Sequence, residues 1–168
     1  NLLRFINSSG FGLSREITSF RHAVMILGLK KLFRWAVLLM TTSPSDVTGP
    51  VVANAAVVRG RLMELLASEL LPPDECDNAF VTGVFSLLDQ MLGIPLDEAL
   101  KSISLPEVVV EALVHRAGKL APFLELTEAC ESANDEAFAK AANALLLSNQ
   151  QVNWAHLQAL AWTDAMTA

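Results

Sequence analysis

Residues 76–92 read CDNAFVTGVFSLLDQML. Phe80, Val84, Leu87, Leu88 and Met91 recur at helical spacing and form a stripe too wide for a surface helix. The stretch predicts one helix, Cys76–Leu92, lying in a core and stopped by Gly93. The period of two that marks a half-buried strand is absent from it.

The helical pattern extends in both directions. On the N-terminal side, LLPPDE at 70–75 closes a long amphipathic helix expected over 51–71. Pro73 suits the first turn of the next helix, where Asp74 and Glu75 meet its positive end. TTSPSDVTGP at 41–50 reads as a loop. Before it, residues 29–40 carry Leu32, Phe33, Ala36 and Leu39 on one face, and Thr18 or Ser19 caps a helix running through Phe20, Val24 and Leu27 to Gly28. Leu2–Ser9 is a helix end with Gly10 and Gly12 as stops. On the C-terminal side, residues 93–118 give two short helices, each introduced by Pro and acidic residues. Three more are expected over 122–131, 134–147 and 152–163. The chain is therefore read as all-α, a single domain over 1–168 without repeats or a convincing linker.

Hydrophobic residues make up 52% and charged residues 18%, so most segments must be buried or packed on a partner. No run reaches membrane length, because the most apolar region, 23–40, is broken by Lys30, Lys31 and Arg34. Cys76 and Cys130 lack metal or redox spacing and read as buried or half-buried thiols of a reduced, cytoplasmic protein. Charge is uneven. Residues 1–40 hold six basic side chains against Glu16, a net of +5, whereas the other 128 hold six basic and 17 acidic ones, a net of −11. The basic end reads first as a solvated face. Its Arg15, Arg21, Lys30, Lys31 and Arg34 form the candidate interaction surface.

No residues qualify as catalytic, cofactor-binding or metal-ligating. Apart from the weak His115–Glu111 neighbour, His22, His115 and His156 lack the partners of a helical metal pair and read as surface or core-edge residues. No HExxH, phosphate-binding glycine loop or GxSxG occurs. Asp97–Glu98 and Glu125–Glu128 read as capping or solvent-facing acids. Glu-Ala-Leu occurs at 98–100 and 111–113, each time in a short helix of good helix formers. A helix-turn-helix around Gly28 is disfavoured, since its second helix has bulky apolar residues where a base-reading face is needed.

INSSGFGL at 6–13, EITSFRHAVMILGLKKL at 16–32 and Trp35 resemble the early helices of HDOD domains, the HD-related output domains of bacterial signalling proteins. FVTGVFSLLDQMLGIPLDEALKSISLPEVVVEAL at 80–113 and ALAWTDAM at 159–166 are similar to the branch that follows a cyclic di-GMP phosphodiesterase-type domain. The resemblance implies a compact multi-helix bundle, N-terminally incomplete, lacking its first helices and any upstream domain. In the related HD phosphohydrolases a His-Asp dyad binds metal. Here Ser86 and Leu87 stand in that place, and the upstream helix VVANAAVVRGRLMELL has no histidine. Neither Ser nor Leu replaces an imidazole or a carboxylate as a ligand. The expectation is a non-catalytic signalling module without cofactor, working through a protein partner or an adjacent domain in a cyclic di-GMP-related regulatory protein. The alternatives are nucleic-acid binding by the basic third and an HD-type phosphohydrolase.

Overall fold

The structure, a computed structural model, describes residues 49–101 and 105–167. Among these residues run eight helices and no strand. They are α1 Gly49–Ser68, α2 Pro73–Phe85, α3 Leu88–Leu92, α4 Leu96–Lys101, α5 Glu107–Val114, α6 Ala121–Glu131, α7 Asp135–Ala144 and α8 Asn149–Thr167. The all-α reading holds; the helices expected over 2–9, 18–28 and 29–40 lie outside the described residues.

Helix α1 is central rather than amphipathic. Ala56, Val57, Leu62, Met63, Leu66 and Ala67 are buried, and Val58 and Leu65 pack against the same core. Apolar residues in adjacent pairs cover more than one face, so α1 packs on α2, α8, α6 and α3. It begins at Gly49, inside the expected loop. Pro50 is tolerated there because N–H groups of the first turn have no intrahelical acceptor. It ends earlier than expected, where the Ser68 hydroxyl donates to the Leu65 carbonyl at 2.6 Å.

Helices α1 and α2 form a hairpin joined by residues 69–72, and two glycines set their separation. A Cβ on Gly60 would stand 2.6 Å from Val84 Cγ2 and 2.9 Å from the Phe80 carbonyl oxygen. One on Gly83 would stand 2.7 Å from both the Arg59 carbonyl oxygen and the Gly60 Cα. The backbones therefore touch where they cross, and no side chain fits between them.

The helix expected over 76–92 is two helices. It breaks at Ser86 and Leu87, where Leu87 adopts φ −112° and ψ 12°. The Ser86 hydroxyl donates to the Gly83 carbonyl at 2.6 Å, and the Leu87 amide reaches the Val84 carbonyl three residues back. This change of direction buries both Leu87 and Leu88.

Helix α8 runs antiparallel to α1. Trp162 lies edge-on to Phe80, with ring centroids 6.3 Å apart, and the Arg61 guanidinium stands 5.3 Å from the Trp162 centroid. Further along, the Gln151 amide donates to Glu69. Helix α8 begins three residues earlier than expected because Ser148 and Gln151 form a reciprocal cap: the Gln151 amide donates to Ser148 Oγ at 3.2 Å and the Ser148 amide to Gln151 Oε1 at 2.9 Å. Helix α7 is shorter than expected. Asn134 caps its start, and Leu146, with φ +56°, ends it in the left-handed region.

Gly83→Ala is expected to destabilise the protein by ~1–3 kcal/mol, since its obstacles are backbone atoms that cannot turn aside. Helix propensity alone predicts the opposite sign, by about 1 kcal/mol. Urea unfolding of Gly83→Ala and Gly60→Ala beside the parent checks this, with Gly83→Ala the more damaging.

Candidate functional site

The close crossing of α1 and α2 brings Arg59 beside the end of α2. Arg59 sits within the apolar face of α1 and is 8% exposed. A buried guanidinium stays charged, so it requires anionic or strongly polar partners. Three segments supply them. Glu131 at the end of α6 accepts from Arg59 Nε at 3.0 Å and from Nη2 at 2.5 Å. Ser86 Oγ, at the end of α2, accepts from Nη1 at 2.9 Å. Glu128, one turn before Glu131, places Oε1 3.8 Å from Nη1. Its other oxygen accepts from Arg116 Nη1 at 2.6 Å.

Arg116 lies in the turn after α5 with φ +50°, which aims its side chain at α6. The hydrogen bond to Glu128 raises its pKa, so this guanidinium also stays charged. Arg59, Ser86, Glu128, Glu131 and Arg116 thus form one connected polar cluster that ties together α1, the α2–α3 break, α6 and the α5–α6 turn. Its inner end is buried, and its outer end is open to water at Arg116.

Of the positions singled out in the sequence, Ser86 belongs to this cluster, whereas Leu87 is a core residue. Arg15, Arg21, Lys30, Lys31 and Arg34 lie outside the described residues, as does His22. His115 is exposed at the end of α5, and His156 is half-buried on α8. Glu128 corrects the reading of the Glu125–Glu128 pair. Glu125 is solvent-facing, but Glu128 is half-buried between two arginines. Arg59 and Glu131 were missed. Their signal was an arginine on an apolar helical face, which requires a buried counter-charge but does not say where in the chain it lies.

The site's chemistry is that of a clasp. Among the described residues, no group of three or more His, Cys, Asp or Glu could hold a metal ion. Both cysteines are unpaired. Burial raises the pKa of Cys76, with Glu64, Asp77 and Glu75 adding to it, and pushes the Cys130 thiol up to about 11, with Glu131 adding to it. Neither is a ready thiolate at neutral pH.

Glu131→Ala is expected to cost ~1–3 kcal/mol, because it strands a buried guanidinium. Arg59→Met should cost less, since an apolar residue of similar length suits the site and Glu131 regains water. Chemical denaturation of the two variants side by side tests that order. Cys130 gives a pH signature. Its thiol ionises near 9.0 when unfolded and near 11 when folded, so the unfolded chain loses its proton first. The stability present below 9.0 is lost as pH rises toward 11, and Cys130→Ala should flatten that fall in an unfolding series.

A family model described as the HDOD domain matches residues 1–92. Over 164 residues the chain is 29% identical to the uncharacterized protein YuxH of Bacillus subtilis, covering 96% of this chain and 39% of that protein. Over 133 residues it is 31% identical to the cyclic di-GMP phosphodiesterase CdgJ of Vibrio cholerae, covering 79% of this chain and 31% of that protein. The chain therefore spans well under half the length of either relative. No solved structure matches it. The family match takes in α1, α2 and α3, with the Gly60–Gly83 crossing and the Arg59–Ser86 contact, and covers more than half of the chain: this protein belongs to the HDOD domain family.

Proposed function

We propose that the chain is a non-catalytic signalling module that acts through contact with a protein partner or an adjacent domain, in a regulatory protein linked to cyclic di-GMP. The observation that carries this reading is the Arg59–Ser86 hydrogen bond. Ser86 occupies the place where the resemblance to HD phosphohydrolases would put a metal-binding dyad, and a guanidinium is bound to it. A divalent cation there would meet a buried positive charge whose carboxylate partners, Glu131 and Glu128, are already engaged. These residues do not fit a metal.

Family membership and the similarity to a protein named as a cyclic di-GMP phosphodiesterase support the regulatory setting. Packing supports transmission by contact. The cluster joins several helices by charge pairs, so a displacement of α6 alters the contacts of α1 and α2 together. A neighbour that binds one arrangement better than another shifts such an equilibrium without chemistry. Nucleic acid is a poor partner for the described residues, which carry six basic and sixteen acidic side chains, a net of −10. Among them no helix is long and apolar enough to cross a membrane.

Two assays test the reading. The purified chain, incubated with manganese or iron and with a phosphomonoester or cyclic di-GMP, should release no product above the blank; metal-dependent turnover would restore the phosphohydrolase reading. Deleting residues 1–168 from the polypeptide that carries them should change its effect on cellular cyclic di-GMP. An unchanged effect would leave the domain a stabilising role only.

A further inference from the structure

Helix α8 is apolar on two faces. Val152, Ala155, Ala159 and Thr163 are buried against the bundle. The opposite side carries Gln150, Trp154, Leu157 and Ala161, spaced as i, i+4, i+7 and i+11, which is one narrow seam of a helix. Trp154 is 64% exposed and Leu157 60%, with Leu160 beside them at 42%. Among the described residues, Ser148, Gln150, Gln151, Asn153, Trp154 and Leu157 line one side of a groove along this seam. Exposed large apolar side chains grouped along one helix mark a contact surface.

Charge selects the occupant. From Ala141 to Thr163 the chain has no Lys, Arg, Asp or Glu, although the described residues carry a net of −10. A basic partner would be drawn to the acidic faces elsewhere and find nothing to pair with here. Two copies of this acidic chain repel one another except where neither brings charge, and this seam is such a place. Its spacing is also self-complementary. In an antiparallel approach about a two-fold axis between Leu157 and Gln158, Trp154 of each copy faces Ala161 of the other, a large side chain over a small one.

We propose that α8 forms a reversible, two-fold symmetric homodimer through the Gln150–Ala161 seam. The size of the seam sets the strength. A 19-residue helix is about 28 Å long and about 10 Å wide with its side chains, so the contact lies below the ~1,200 Å² in total at which stable specific interfaces begin. The dimer is therefore concentration-dependent rather than obligate.

Sedimentation equilibrium of the 168-residue chain, from low micromolar to submillimolar concentration, tests this. The parent should shift from monomer to dimer. Leu157→Glu and Leu157→Lys each place like charges across the axis and should weaken association more than about tenfold. An equimolar mixture of the two should recover the dimer. Both variants put good helix formers at an exposed position, and far-UV circular dichroism identical to the parent's confirms that they fold. A parent that stays monomeric throughout overturns the proposal and gives the face to residues 1–48 or to another domain. So does a dimer that neither substitution weakens.

Discussion

The α1–α2 hairpin and its charged cluster depend on the contact between Gly60 and Gly83. With no side chain at either position, α1 and α2 approach until backbone meets backbone, and Arg59, the neighbour of Gly60, is carried to the end of α2. At ordinary helix separations, about 8–10 Å between axes, the guanidinium would not be held against Ser86 in the same way. The tight crossing and the charged cluster are thus one feature. The absent Cβ atoms set the distance, and the buried charge uses it.

A buried ion pair is weak grounds for stability, because desolvation offsets much of the Coulomb gain. Its stronger effect is on specificity. Arg59 accepts few arrangements of α6 and of the α2–α3 break, since each alternative leaves a charge in apolar surroundings. Glu128 and Arg116 extend the constraint outward, so a change at the exposed Arg116 is linked through the Glu128 carboxylate to a residue packed in the core. That linkage suits the proposed role, in which output depends on which arrangement a neighbour favours.

Helix α8 shows how the helical period fails as a guide when both faces are apolar. Its inner side closes the bundle over α1, while its outer side carries Trp154 and Leu157 into solvent. The high hydrophobic content of the chain, 52%, is therefore divided between a core and a surface, and composition cannot tell them apart.

The sequence by itself determined the all-α class and, among the described residues, the order of the helices and most of their positions. These follow from local rules: three- and four-residue apolar spacing, Pro and acidic residues at helix starts, and Gly at ends. It also carried the family resemblance that the HDOD match makes good. It missed the break at Ser86, because a continuous apolar stripe hides a kink made by a serine side chain and by the need to bury both Leu87 and Leu88. It placed Glu128 in solvent and passed over Arg59 and Glu131, which lie 72 residues apart. A charge on an apolar face signals that a partner exists, but the identity of that partner depends on which helices cross and how closely. Only the tertiary structure decided that, because the deciding quantity is a distance between backbones that no local pattern encodes.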